Sequence, residues 1–285
     1  MDEHPSFAEN QLSGMRPAYV ELAGGHRLFV RDWGGGEPLL LLAGWAMDSR
    51  IWGETMIALN QRGLRTIAYD RRGHGRSTDP GTIDYDSLAD DLAAVLDQLD
   101  LQGVTLVCHS GAVGEAMRYA TRHGTKRIAR IVLVGGTGPK ILADATQPIG
   151  VTAEMLDGLL AQLACDLPGW IDENAEPFAP GSSPRVINWL GSMVLDCSRR
   201  VMIDFQRVIA TADLREEAAA LTVPVVIIHG DQDISAPIDL TARAFQRLIP
   251  DAELIVYEGA AHGIMVTHAP RLASDLADRV LHGIG

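Results

Sequence analysis

A strand, a one-residue turn and a helix are predicted in immediate succession near the middle of the chain, and this segment constrains the fold most. Residues 104–108 have the composition of a buried strand, and from Gly111 small residues recur at helical spacing until Gly124. Because so tight a turn strains its apical residue and projects that side chain clear of the sheet, we interpret Ser110 as a nucleophile. A serine that only caps a core helix would give the same short pattern, so the rest of the chain has to supply the context.

Length, charge and cysteine content limit the classes of protein to which the chain can belong. Its 285 residues suit a single α/β core that carries an insertion. A net charge of -13 repels phosphate backbones and anionic lipid, so we expect no nucleic-acid partner and no membrane binding. The polar, acidic start is unlike a signal peptide, and the three cysteines (Cys108, Cys165 and Cys197) lack metal-ligand spacing. We therefore expect a cytoplasmic protein without a metal or cofactor.

Apolar runs alternate with amphipathic helical segments along most of the chain. The predicted strands cover residues 19–22, 26–33, 38–43, 65–69, 104–108, 128–134, 223–229 and 252–257. The first two flank Gly24 and Gly25, which predicts a hairpin. The later strands alternate with helices, which is typical of parallel pairing with right-handed crossovers. The predicted fold class is therefore α/β, with a mostly parallel sheet of eight strands and helices on both faces.

The alternation stops between residues 139 and 221, where helical fragments occur without a strong strand. We interpret this segment as a helical cap, or lid, inserted after the sixth strand and lying over the carboxyl edge of the sheet. Residues 17–138 and 222–285 then form the core, and residues 1–16 form a flexible N-terminal arm. Four large side chains are expected to bind substrate: Trp45, Met47, Trp189 and Met193. Ordinary helix packing is the alternative for the two that lie in the cap.

Three chemically complementary residues follow the predicted carboxyl ends of different strands, in the order nucleophile, acid and base. Ser110, Asp233 and His262 are therefore expected to converge at the sheet edge where α/β proteins bind ligands. A serine hydroxyl needs an adjacent base, and His262 can act as one if Asp233 holds its other ring nitrogen. Asp231 is the alternative acid, although a turn aspartate more often bonds to the local backbone, and Glu258 is a distant third.

Backbone donors for a developing oxyanion are expected on two loops. The N–H of Gly111 opens the helix that follows the nucleophile, and the loop after the strand at 38–43 supplies the N–H of Trp45. The charged, glycine-rich segment at residues 70–77 superficially resembles a metal or nucleic-acid loop. We interpret it as a hydrogen-bonded corner that braces the neighbouring loops.

With these residues assembled, the chain resembles the α/β-hydrolases, in particular the bacterial arylesterase, cofactor-free haloperoxidase (perhydrolase) and γ-lactamase group. The resemblance covers about residues 20–283 and rests on the segments at 42–45, 69–77, 108–113, 118–124, 229–233, 261–263 and 267–268. It implies the α/β-hydrolase fold. It also implies that Ser110, Asp233 and His262 match the catalytic triad, and that Trp45 and Gly111 match the oxyanion donors.

The sequence departs from the pattern of this group at several positions beside the site. Ala43 replaces a histidine that usually precedes the glycine, which removes a hydrogen-bonding side chain beneath the oxyanion loop. Cys108, Gly111 and Val113 depart from the usual Gly-x-Ser-Met-Gly-Gly. Since Gly111 replaces a methionine, we expect a wider acyl pocket than in small-ester arylesterases. Perhydrolysis does not follow from the resemblance alone.

The leading hypothesis is a serine hydrolase that cleaves a carboxylic ester, lactone or cyclic amide through an acyl-Ser110 intermediate. The expected partner is a small apolar substrate, and a homo-oligomer is left open. A cofactor-independent dioxygenase is a second hypothesis on the same fold, although the loop after Val134 lacks the carboxylate we associate with that subgroup. The triad would also suit a carbon–carbon bond hydrolase, and the scaffold would suit a non-catalytic small-molecule receptor.

Overall fold

The apolar runs of the sequence become the strands of a single sheet in the computed structural model, which describes residues 16–282. The eight strands are β1 (Tyr19–Glu21), β2 (Arg27–Trp33), β3 (Pro38–Leu42), β4 (Arg65–Tyr69), β5 (Val104–His109), β6 (Ile128–Val134), β7 (Val225–Gly230) and β8 (Glu253–Tyr257). Their order across the sheet is β1-β2-β4-β3-β5-β6-β7-β8. The eight-stranded sheet predicted from the sequence is therefore confirmed.

Most of the sheet is parallel. Strands β1 and β2 form the predicted hairpin, β2 also pairs with β4 in antiparallel fashion, and β3 to β8 run parallel to one another. Strand β5 lies in the middle, between β3 and β6. Because the parallel strands all end at the same edge, the loops after β3, β5, β6, β7 and β8 meet there.

Both faces of the sheet are covered, as a parallel sheet requires. In β3, Leu40 and Leu42 belong to one hydrophobic core, while Leu39 and Leu41 point the other way into a second core. The first core includes side chains of α2 (Tyr85–Gln98), α3 (Ala112–His123) and α9 (Ala242–Leu248). The second includes side chains of α1 (Gly53–Asn60), α10 (Ile264–Thr267) and α11 (Ala269–Leu281).

The segment between β6 and β7 is helical, and all of residues 139–221 are described. Its helices are α4 (Ala153–Cys165), α5 (Leu167–Phe178), α6 (Pro184–Asp196), α7 (Arg199–Thr211) and α8 (Arg215–Ala219). Capping side chains set three of the starts, since Thr152, Asp166 and Ser183 each accept a backbone N–H from the first turn. Within this segment, strand pairing is limited to isolated bridges such as Lys140 with Asp213.

The insertion packs directly onto the sheet domain. Leu163, Leu190 and Met202 belong to the second core, whereas Phe205 and Ile209 belong to the first. Helix α7 thus reaches both cores, which fixes its position over the middle of the sheet.

The predicted N-terminal arm falls almost entirely outside the described residues, which begin at Arg16. The guanidinium of Arg16 binds the Asp32 carboxylate at 2.6 Å and donates to the Gly34 carbonyl at 2.6 Å. Between Arg16 and His282, every helix falls short of the length and apolar character that crossing a bilayer requires.

Candidate active site

Ser110 lies at the sharp turn between β5 and α3, in the strained conformation that the sequence predicts. Its φ angle of +55° is in the left-handed region, which non-glycine residues rarely adopt. Three backbone hydrogen bonds hold it there: its N–H donates to Val134 O at 3.1 Å, and its carbonyl accepts the N–H groups of Thr137 and Val113, each at 3.2 Å. A Cβ at Gly44 would lie 2.9 Å from Ser110 Cβ, so only glycine allows the neighbouring loop to approach so closely.

The structure brings Ser110, His262 and Asp233 into one hydrogen-bonded chain. Ser110 Oγ lies 2.9 Å from His262 Nε2, and His262 Nδ1 lies 2.6 Å from Asp233 Oδ2. Asp233 follows β7 and His262 follows β8, so both arrive from strand ends on one side of β5. Asp231, the alternative acid, instead accepts the backbone N–H of Gly259 at 2.7 Å.

Further contacts hold Asp233 and His262 in place. The other carboxylate oxygen of Asp233 accepts the N–H of Ala236 at 2.7 Å. His229 Nε2 bonds to Ala236 O at 2.7 Å, and His109 Nε2 bonds to His262 O at 3.2 Å. Burial lowers the pKa of His109 and His229 below the usual value, so both rings stay neutral at pH 7 and donate these bonds.

Trp45 and Gly111, the predicted oxyanion donors, lie on adjacent loops beside Ser110. Within residues 16–282, neither backbone N–H donates to another protein group. The indole of Trp45 is anchored separately, because its Nε1 donates to Met202 O of α7 at 2.8 Å. Its ring also packs edge-on against Trp170 of α5, with centroids 5.0 Å apart.

A cavity of about 290 Å³ opens above Ser110 and His262. Most of its lining is apolar and comes from the insertion: Ile141, Val151, Leu159, Trp170, Ile171, Ala175, Phe178, Leu190, Gly191, Val194 and Ile209. The polar lining residues are His109, Ser110, Thr137, Asn174, Gln206, Ser235 and His262, of which Asn174 and Gln206 belong to the insertion. Among the described residues, no three histidine, cysteine, aspartate or glutamate side chains are grouped so that they could hold a metal ion.

Two of the four predicted substrate-binding residues line this cavity, and two do not. Trp45 and Met47 are part of its wall. Trp189 and Met193 are not, because α6 turns the adjacent face, with Leu190 and Val194, toward the cavity. Met193 is instead buried in the second core, against which Trp189 also packs. The error is a rotation of the helix by one residue, about 100°.

Sequence analysis missed three residues that contact the site. The Thr137 hydroxyl lies 3.2 Å from Ser110 Oγ. Since Thr137 follows the end of β6, its place after a parallel strand could have predicted its position at this edge of the sheet. The Phe178 ring packs against His262 at 5.7 Å, and the Phe178 carbonyl accepts the N–H of Gly263 at 2.7 Å. Nothing in the local sequence of α5 marks Phe178 for this contact.

Ile209 is the third missed residue, and it occupies the space that we expected Gly111 to open beside Ser110. A Cβ at Gly111 would lie only 2.4 Å from Ile209 Cδ1. The volume that Gly111 leaves beside Ser110 is therefore filled by a side chain of α7. This contact could not be predicted because Ile209 lies far along the chain, in the insertion, and the width of the acyl pocket relative to small-ester arylesterases stays a prediction.

Comparison with known proteins places this geometry in a family. Residues 39–275 match the alpha/beta hydrolase family. A non-heme chloroperoxidase of Kitasatospora aureofaciens is 36% identical over 251 residues, which cover 84% of this chain and 90% of that protein. A bifunctional esterase/perhydrolase of Acinetobacter calcoaceticus is 32% identical, with 90% of this chain and 97% of that protein covered.

Solved structures agree with this result. An esterase from Exiguobacterium antarcticum superimposes with a TM-score of 0.88 at 27% identity, covering 93% of this chain and 99% of that one. The chain belongs to the alpha/beta hydrolase family, as the resemblance in its motifs implied.

Proposed function

We propose that this protein is a serine hydrolase that cleaves small carboxylic esters or lactones through an acyl-Ser110 intermediate. The observation that carries the proposal is the continuous hydrogen-bonded chain from Ser110 Oγ through His262 to Asp233, with distances of 2.9 and 2.6 Å. Three side chains from three loops meet there with the roles that acyl transfer requires.

In the first half-reaction, Ser110 Oγ attacks the carbonyl carbon of the ester while its proton passes to His262 Nε2. Asp233 keeps the Nδ1–H of His262 oriented and stabilises the imidazolium that forms. The tetrahedral intermediate then collapses, the alcohol oxygen takes the proton from Nε2, and the acyl group remains on Ser110. In a lactone, the same alcohol stays attached to the acyl chain.

In the second half-reaction, a water molecule replaces the alcohol. His262 Nε2 removes a proton from this water, the hydroxyl adds to the acyl carbon, and the proton returns to Ser110 Oγ as the acid leaves. In both half-reactions the backbone N–H groups of Trp45 and Gly111 are proposed to stabilise the oxyanion. Their freedom from protein partners within residues 16–282 supports this role.

We assign residues 139–221 to a cap that shapes the substrate site over a core of residues 17–138 and 222–285. The support is the cavity itself, since most of its lining side chains belong to the insertion. At about 290 Å³, the cavity lies just below the range of about 300–1,000 Å³ typical of ligand sites. This size and the apolar lining favour a small apolar substrate.

A panel of aryl esters, lactones and a bicyclic lactam tests the proposal. Ser110→Ala should lower turnover by at least about 10⁴-fold and abolish labelling by a fluorophosphonate, because the nucleophile is gone. Ser235→Ala is the matched control: this hydroxyl lines the same cavity, but it makes no hydrogen bond to His262. It should retain most of the activity, and labelling that persists in Ser110→Ala would contradict the assignment.

The same panel, with a β-diketone added, distinguishes a serine hydrolase from the competing functions. A receptor would bind ligands without sustained turnover or a burst of product. A carbon–carbon bond hydrolase would leave the esters intact but cleave the β-diketone. A cofactor-independent dioxygenase would consume molecular oxygen. The loop after β6 lacks the carboxylate that we associate with that subgroup, and the Thr137 hydroxyl of this loop lies 3.2 Å from Ser110 Oγ.

Perhydrolysis is a second candidate activity, favoured by the esterase/perhydrolase among the relatives. Hydrogen peroxide would take the place of water as the acceptor of the acyl group, so that a peracid and free Ser110 are formed. Peracid formation from an ester and peroxide, lost in Ser110→Ala, would support it.

A further inference from the structure

A buried ion pair lies beneath the two candidate oxyanion donors. Arg71, two residues after β4, is 3% exposed, and Glu115 of α3 is fully buried. The Arg71 Nη2 and Nε atoms both bond to Glu115 Oε2, at 2.8 and 3.0 Å. The Tyr69 hydroxyl bonds to the other carboxylate oxygen.

The same guanidinium also holds the loop that carries Trp45. Arg71 Nη2 donates to Ala43 O at 2.8 Å, and Nη1 donates to Gly44 O at 3.3 Å. The peptide bond between Gly44 and Trp45 is planar, so the carbonyl of Gly44 and the N–H of Trp45 point in opposite directions. Fixing this carbonyl on Arg71 therefore fixes the direction of the Trp45 N–H.

The other end of the ion pair is attached to the element that carries the second donor. Glu115 lies one turn into α3, and Gly111 directly precedes this helix. The Gly111 carbonyl also accepts the Tyr85 hydroxyl at 2.9 Å. Arg71 thus links the Trp45 loop to the N-terminus of α3 through hydrogen bonds that require a planar, forked cation.

A buried ion pair is a poor way to gain stability alone, because desolvation offsets its attraction and apolar side chains of similar volume often do as well. The side chain of Ala43 has no hydrogen-bonding group with which to hold the loop that carries Trp45. Arg71 instead bonds to the carbonyl of Ala43. The placement of Arg71 and Glu115 is better explained if they orient the loop at residues 43–45.

We propose that Arg71 and Glu115 are positioning residues that hold the N–H groups of Trp45 and Gly111 in register as a pair of oxyanion donors. The inference rests on the proposed hydrolase function and adds to it the device that sets the geometry of the oxyanion site.

The test replaces the buried polar cluster by apolar side chains in the variant Tyr69→Phe/Arg71→Met/Glu115→Leu. If the cluster only stabilises the fold, this variant should fold and turn over ester normally. We expect a folded variant whose kcat falls about 10²–10³-fold, as when an oxyanion donor is lost, while KM changes by less than about threefold. Affinity for an aryl boronic acid, which forms a tetrahedral adduct, should fall in parallel.

The matched control is Arg72→Met/Asp91→Leu. This neighbouring pair also joins an arginine to a carboxylate, with bonds of 2.6 and 2.7 Å, but Arg72 makes no hydrogen bond to residues 43–45. It should leave kcat and boronic acid affinity nearly unchanged. Normal kcat in the folded triple variant would overturn the inference.

Arg71→Lys serves if the triple variant does not fold. It keeps the charge but has only three N–H donors on a single nitrogen, so it cannot reproduce the four hydrogen bonds that the forked guanidinium makes to Glu115 and the two carbonyls. We expect kcat and boronic acid affinity to fall together by about tenfold or more, and unchanged values of both would overturn the inference. If the wild-type protein hydrolysed no ester or lactone, the proposed function itself would fail, which is a different result.

Discussion

The loops of the sheet and the helices of the insertion build the two halves of this site by different physical means. The loops supply polar groups whose positions are fixed by short hydrogen bonds, as in the chain from Ser110 to Asp233. The insertion supplies mainly apolar walls, such as Phe178 and Ile209, positioned by packing against the two cores. Substitutions in the loops should therefore change the rate of the chemical step. Substitutions in the insertion should change the choice of substrate.

The largest effect is expected in the loops, at Asp233, one of the two aspartates after β7. Asp233→Asn should preserve the fold and lower kcat by about 10⁴-fold, because an amide cannot stabilise the imidazolium of His262. Asp231→Asn is the control, since Asp231 bonds to the backbone of Gly259. Steady-state kinetics on one aryl ester, with circular dichroism to verify folding, measures both. Equal losses of kcat in Asp233→Asn and Asp231→Asn would contradict the different roles proposed for these two residues.

A smaller and more selective effect is expected where Ile209 of α7 packs beside Ser110 and Gly111. Ile209→Ala should open space beside Gly111 and raise kcat/KM for branched acyl esters relative to acetyl esters by at least about tenfold, because the substitution removes three carbon atoms and one methylene alone is worth about tenfold or more in an apolar pocket. Gly111→Met should lose activity, because even its Cβ would lie 2.4 Å from Ile209 Cδ1. The double variant should recover part of that loss, since the two side chains compete for one volume.

Val208→Ala is the control for this pair, because Val208 neighbours Ile209 on α7 but does not line the cavity. It should leave the ratio of branched to acetyl substrates unchanged. Strictly additive effects of Gly111→Met and Ile209→Ala would show that the insertion does not set the acyl pocket.

The smallest effect concerns stability at the seam between the two regions. Burial, helped by the charge of Arg71, lowers the pKa of His74 to about 3, and its ring packs against Phe205 of α7 at 6.3 Å. The unfolded chain takes up a proton near pH 6.5 and the folded one does not, so stability is lost as the pH falls below this value. From pH 7 to pH 5 this residue should cost about 2 kcal/mol of unfolding free energy.

Thermal or urea unfolding of the wild type and His74→Gln at both pH values measures this cost. Glutamine does not titrate, so the variant should lose less stability on acidification. A loss as large as that of the wild type would mean that His74 is not held neutral in the folded protein.

The same contrast between the two regions explains which parts of the site could be predicted from the sequence. Each polar residue of the loops follows a strand whose period and composition are local properties, so Ser110, Asp233 and His262 could be predicted to meet. The strain at Ser110 followed from the length of the turn alone. The small residues next to His262 and Ser110, glycine and alanine, also indicated that these two loops approach each other closely.

The walls from the insertion could not be predicted in this way. An apolar stripe shows that α6 is amphipathic, but the angle at which it docks depends on its partners, and a rotation by one residue exchanged Trp189 and Met193 for Leu190 and Val194. Ile209 meets Gly111 only in the folded protein. The hydrogen bonds from Arg71 to the Trp45 loop could not be predicted from the sequence either, because their acceptors are backbone carbonyls, which every residue carries.

The most direct test of the account is to trap the acyl group. The wild-type protein is mixed with a 4-nitrophenyl ester, quenched within the burst of nitrophenol release, digested, and analysed by peptide mass spectrometry. The account predicts the acyl group on Ser110, formed at the rate of the burst. Steady ester turnover with the acyl group on another residue, or on none, would contradict it.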